Sequence, residues 1–239
     1  MERLKKYATE FIKPPFWEHL DSHKNEPGVL ICNGPSLDDV PDEFLNKYPT
    51  MGSNSIYTKD GIIVDYYFIE GRGHLMMPQE RLARIPYMME VAGQGGYNFV
   101  NRRFIQFFDF IPNVYTIDYI NHNNRAETVF QFEPFVNHGT GWCVTYAMFQ
   151  FAHYFGFNPL LIIGMDHRFV EGQWHFYKDA EAPEFVSMPY NEYENFRKKV
   201  DPVFEEVSKV FKYTDREILN LTPDSAAWMF EVDDLENWL

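Results

Sequence analysis

Three short stretches of this chain carry side chains of the kinds that move protons and hold phosphates. The first is Asn33-Gly34-Pro35-Ser36, a polar turn directly behind the apolar run 28–32. Gly34 admits close approach of backbone to a ligand, Pro35 stiffens the turn, and Asn33 and Ser36 offer an amide and a hydroxyl. The second is Gly139-Thr140-Gly141, in front of a long apolar stretch. Two glycines around a capping residue leave the first amides of a helix free, and the helix dipole favours an anion there. The third is Asp166-His167, behind the apolar run 160–165, with His175 further on among Trp174, Phe176 and Tyr177. Imidazole suits proton transfer near neutral pH. His175 and His167, the latter oriented by Asp166, are therefore the candidate catalytic residues.

Other polar residues stand where strands should end. Asn54 follows the second apolar run and Glu70 the third, and Tyr177 and Tyr190 lie in an aromatic-rich stretch. Together with Asn33, Gly34, Pro35, Ser36, Gly139, Thr140 and Gly141 they form a candidate substrate-binding set. The plain structural alternative for each turn is an ordinary strand exit or a tightly packed helix start. The turn at Asn33 has neither the G-x-G-x-x-G of a dinucleotide site nor the G-x-x-x-x-G-K-[ST] of a P-loop. No Asp-x-Asp pair follows a strand candidate, and the Asp/His/His set matches no closed zinc spacing. The expected chemistry is thus free of metal and of cofactor.

The elements that must position these residues can be read from apolar runs. Strand candidates are 28–32, 50–54, 64–69, 97–100, 113–118, 160–165 and 216–221. The strongest are apolar on both faces, as parallel strands covered by helices require. Helix candidates are 37–47, 78–92, 141–155 and 192–212. The stretch 141–155 is apolar nearly all round, with Thr140 as its expected cap and Gly156 at its left-handed end. The stretch 192–212 is amphipathic and reads as a covering helix without a function of its own. The expected fold is α/β: a Rossmann-like, mostly parallel sheet with helices on both faces. Residues 1–27 read as an N-terminal arm and 28–239 as one nucleotide-binding domain with a long aromatic-rich loop at about 169–190.

Composition narrows the partners. With 35 Asp and Glu against 21 Lys and Arg the net charge is −14, a field that disfavours nucleic acid but not a single nucleotide held by backbone amides. The aromatic share of 18% points first to core packing and second to a cleft that stacks on a sugar or base. Two cysteines, Cys32 and Cys143, read as reduced core residues of a cytoplasmic protein. His153 reads as a core histidine. No run is apolar enough to span a membrane, whereas the basic opening Met1–Lys6, with Phe11, Phe16 and Trp17 behind it, suits either a packed arm or a peripheral membrane contact.

With these residues in view, the chain resembles the group that joins glycosyltransferase family 42 sialyltransferases with 6-hydroxymethylpterin diphosphokinase-like proteins. The resemblance rests on Cys32-Asn33-Gly34-Pro35-Ser36-Leu37 (the family has Gly where Cys32 stands), Thr140-Gly141, Gly164-Met165-Asp166 and Asn220-Leu221-Thr222-Pro223-Asp224-Ser225, in that order. It implies a GT-A-type sheet and a metal-independent transferase using a CMP-activated acidic sugar in surface glycan synthesis. By the same resemblance Asn33 and Ser36 would hold the nucleotide phosphate or ribose, Asn54 the cytidine or sugar, and Thr140 with the Gly141 amide a carboxylate or phosphate. Where the sialyltransferases carry their general-base His, this chain has Met188-Pro189-Tyr190-Asn191-Glu192-Tyr193, and His175 is the nearest imidazole. The alternatives are a Mg-dependent pyrophosphoryl transferase, with Asp166, Glu70 and Asp65 as acids, and a nucleotide-binding protein without turnover.

Overall fold

The computed structural model describes residues 16–69, 78–117, 129–135, 141–168, 175–176 and 190–239. Glu70, Gly139, Thr140 and Tyr177 of the candidate site, and His138, lie outside these. Eight strands form one sheet: β1 (Gly28–Ile31), β2 (Thr50–Ser53), β3 (Tyr66–Ile69), β4 (Tyr97–Asn101), β5 (Val114–Ile117), β6 (Leu160–Ile163), β7 (Ile218–Asn220) and β8 (Glu231–Val232). Their order is β5-β4-β3-β2-β1-β6-β7-β8, and every pairing is parallel. The fold is α/β and Rossmann-like. The chain winds outward from β1 to β5, then returns to lay β6 on the other side of β1. The order therefore reverses between β1 and β6, which pair from Gly28–Leu160 to Ile31–Ile163.

Alternating side chains feed two cores, one on each face. Leu30, Met51, Phe68, Phe99, Tyr115 and Ile162 meet helix α3 (Val144–Phe155) and helix α4 (Tyr190–Tyr213). Val29, Ile31, Tyr67, Val100 and Ile163 meet helix α1 (Asp42–Leu45) and helix α2 (Pro78–Gly93). Buried aromatics fill both cores, most densely the first, where Phe68 stacks on Phe99 at 4.5 Å and Tyr66 on Phe155 at 4.5 Å. Packing thus takes up much of the aromatic share among the described residues, while Phe110, Phe132, Tyr213 and Trp228 stay exposed.

Two helix expectations are corrected. The stretch 37–47 breaks into a 3-10 turn, Pro35–Asp39, and the short α1, because Pro41 holds Val40 extended and caps the new helix. Helix α3 starts at Val144 rather than 141. Gly141 and Trp142 stand at φ +44° and +69°, which a right-handed helix cannot absorb, so the extended Cys143 takes the cap position expected for Thr140. Gly156 does end α3 at φ +91°. Strand β8, two residues long, has no periodicity to read and was not expected.

Before β1, His19 packs beneath the sheet with its Nε2 3.1 Å from the Tyr115 hydroxyl. His23 stands between Glu26 and the Tyr66 hydroxyl, 2.6 Å from each. Among the described residues no helix is long and apolar enough to cross a membrane.

Candidate functional site

In an open parallel sheet, ligands bind beyond the carboxyl ends of the strands where the order reverses. Here that crevice lies between the ends of β1 and β6, where the turn carrying Gly34, Pro35 and Ser36 meets the turn carrying Gly164 and Asp166. The Gly34 amide donates to the Gly164 carbonyl at 2.8 Å, which draws the turn after β1 onto the turn after β6. Contact is so close that a Cβ on Gly34 would stand 2.0 Å from Asp166 Oδ2 and 2.5 Å from the Gly164 oxygen. Pro35 opens the following 3-10 turn, and Ser36 donates to Asp166 Oδ2 from its amide at 3.2 Å and its hydroxyl at 2.9 Å. Asp166, 4% exposed, is thus a brace between the two turns.

Neighbouring ends join in. Asn33 donates through Nδ2 to the Ser53 carbonyl at 3.1 Å, which sets it beside Asn54 at the end of β2. The Asn33 Oδ1 is buried and accepts no hydrogen bond among the described residues. Asn54 itself sits at φ +49°, its carbonyl accepting from the Tyr67 hydroxyl. The Phe176 amide donates to the Asn33 carbonyl at 2.9 Å, which sets the backbone next to His175 beside the end of β1. Tyr190 lies at the start of α4. Gly141 is kept without a side chain by Tyr146, whose Cγ would meet a Cβ at 2.2 Å.

One expectation is corrected here. Asp166 does not orient His167. The backbone of His167 is left-handed, φ +49°, and turns the imidazole to α4, where Nε2 donates to Asp201 Oδ1 at 2.5 Å. Burial lowers the pKa of this ring, and the Asp201 carboxylate opposes that only in part. Burial also pushes the Cys32 thiol up, with Cys143 as a further cause, and both cysteines are free and partly buried. Among the described residues no three His, Cys, Asp or Glu side chains gather as a metal-ligand set.

No protein-family model matches the chain, and no curated protein matches it. A solved structure, the MAf glycosyltransferase from Magnetospirillum magneticum AMB-1, superposes on 89% of this chain with a TM-score of 0.54 and 14% sequence identity. The two chains share an α/β fold. The chain spans about a third (34%) of that protein's length, and at this identity the likeness is one of fold.

Sequence reading gave no role to the residues behind the crevice. Thr222 Oγ1 accepts from the Met165 amide at 3.0 Å, Ser225 donates to the Met165 carbonyl, and the Ala226 amide donates to the Asp166 carbonyl at 2.9 Å. Thr222 and Ser225 belong to the Asn-x-Thr-Pro-x-Ser stretch, whose work here is to clamp the turn after β6. Thr222→Val keeps the shape but strands a buried amide, so urea unfolding should show a loss of about 1–3 kcal/mol. Asp201 and Arg197 were passed over because α4 reads as a plain amphipathic helix. The available signal was a carboxylate set between Val200 and Val203, both buried, on that inward stripe.

Proposed function

We propose that this chain is a metal-independent glycosyltransferase whose donor is a nucleotide-activated, CMP-linked sugar and whose acceptor is a surface glycan. The observation that carries the reading is the reversal of strand order between β1 and β6, with the turns behind those two strands drawn together through Gly34, Ser36 and Asp166. The fold shared with a glycosyltransferase supports it. Transfer requires a place for the nucleotide, stabilisation of the departing phosphate and removal of the acceptor's proton. Asn33 and Asn54 face the nucleotide. The orphaned Asn33 Oδ1 is an acceptor, which suits a ribose hydroxyl or a base amine better than a phosphate oxygen. The amides before α3, with Gly139, Thr140 and Gly141, are assigned to the phosphate and sugar carboxylate, while Pro35 stiffens the turn and Ser36, both of whose donors are held by Asp166, fixes it against β6. Tyr177 and Tyr190 are assigned to the leaving group. Proton removal falls to His175 or His167.

Thermal shift tests this directly. Ligand that binds only the folded state adds RT ln(1 + [L]/Kd), about 2.7 kcal/mol at a hundredfold excess over Kd. CMP should raise the melting temperature equally with Mg²⁺ and with EDTA, and CMP-sialic acid should be turned over. A shift only with ATP and Mg²⁺ would replace the reading by pyrophosphoryl transfer. Full turnover in both His175→Ala and His167→Ala would remove imidazole from the mechanism.

A further inference from the structure

His167 is held more elaborately than the crevice requires. A non-glycine residue in the left-handed region costs about 1–2 kcal/mol, and such outliers persist only where the surroundings enforce them. The enforcement comes from α4. His167 Nε2 lies 2.5 Å from Asp201 Oδ1, and Asp201 Oδ2 lies 3.6 Å from Arg197 Nη2. That same Arg197 nitrogen donates to the Ala226 carbonyl at 3.5 Å, and the Ala226 amide donates to the Asp166 carbonyl at 2.9 Å. The chain of bonds leaves Asp166 and closes on the next residue. Phe204 packs beside the ring at 5.8 Å.

The chemistry of this ring follows from which nitrogen carries the proton. A carboxylate can only accept, so Nε2 is the N–H and Nδ1 keeps the lone pair. Nδ1 makes no hydrogen bond among the described residues. The charged groups around the ring are Asp201 and Arg197 on α4, with Asp166 and Arg168 beside it in the chain. Burial and Arg197 favour the neutral imidazole and Asp201 the protonated one, with burial dominant. The ring is therefore a neutral base of fixed tautomer, one residue from the brace that closes the crevice.

We propose that Asp201 is a positioning residue that fixes His167 as the Nε2–H tautomer, so that Nδ1 takes the proton of the acceptor hydroxyl. The role rests on the glycosyl-transfer reading above. In the step, the acceptor oxygen gives its proton to Nδ1 and forms a bond to the anomeric carbon. The bond from that carbon to the phosphate oxygen breaks, and its electron pair leaves with CMP. The imidazolium then returns its proton to solvent.

The test uses wild type, Asp201→Asn and Asp201→Glu, with CMP-N-acetylneuraminic acid as donor and release of CMP as the readout. Asp201→Asn should lower kcat by about 10²–10⁴-fold, the usual worth of a positioned base, while KM and the affinity for CMP stay near wild type. Its rate-pH profile should lose the wild-type acid limb, and Asp201→Glu should regain much of the rate. In ¹⁵N-histidine spectra, with His167→Asn for assignment, the Nε2–H tautomer should dominate in wild type and be lost in Asp201→Asn. Wild-type turnover with an unaltered Asp201→Asn rate, or with an unaltered tautomer, overturns this role alone. A wild-type protein that neither binds CMP nor releases it overturns the glycosyl-transfer reading and this role with it.

Discussion

Alanine at Gly34 should cost about 3 kcal/mol of stability, the upper end for overpacking, and, on the function proposed above, should abolish binding of CMP. The added Cβ would fall 2.0 Å from Asp166 Oδ2, 3.0 Å from its Cγ and 2.5 Å from the Gly164 oxygen. None of these atoms can step aside. Asp166 Oδ2 is fixed by both Ser36 donors, and the Gly164 oxygen is the acceptor of the Gly34 amide itself. The backbone of Gly34, at φ −72°, is one alanine adopts readily, so the effect is purely steric. To make room the turns after β1 and β6 must part, and the crevice loses its shape along with its hydrogen bonds. Urea denaturation and CMP calorimetry on Gly34→Ala read both consequences. Wild-type stability in that variant would mean that the two turns are not in contact.

The sheet was legible because its central strands are written in one alphabet. Runs such as Val29-Leu30-Ile31 and Leu160-Leu161-Ile162-Ile163 are apolar on both faces, and only a parallel strand between two helical layers wants that. Each of the seven strand expectations overlaps an observed strand, to within a few residues at its ends. The polar turns behind the two runs were legible for the same reason, since the abrupt loss of apolar residues marks the carboxyl edge. What was not legible depends on partners distant in sequence. Pro41 and the left-handed pair Gly141-Trp142 moved helix boundaries, because a local period does not register a backbone that tertiary packing bends. His167 was paired with its sequence neighbour Asp166, the nearest carboxylate in the chain. The fold instead gives Asp166 to Ser36 and brings Asp201 across from α4. A helix read only by its apolar stripe hides polar residues, here Arg197 and Asp201, that lie along the same face.

Stability should fall steeply as the pH drops from about 6.5 toward 4, with His153 as a principal cause. This ring is 8% exposed, packed among Phe130, Phe132 and Phe211, with Nε2 3.1 Å from the Thr214 hydroxyl. Burial first, and the neighbouring Arg216 second, bring its pKa down to about 4 from an ordinary 6.5. Between those two values the unfolded chain binds a proton that the folded chain refuses, so stability rises with pH across that window and is complete above it. Burial lowers His19 and His167 in the same direction, and their contributions carry the same sign. For His153 the full shift corresponds to about 3 kcal/mol at 1.4 kcal/mol per unit, and residual solvent contact brings the expected figure to roughly 2 kcal/mol. Carboxylates also titrate in this range, so the informative quantity is a difference. His153→Gln can keep a hydrogen bond to Thr214 without a proton to gain, and its stability should change less between pH 7 and pH 4.5 than that of wild type. Parallel stability-pH curves for the two proteins would show that the buried imidazole is not what makes the fold acid-sensitive.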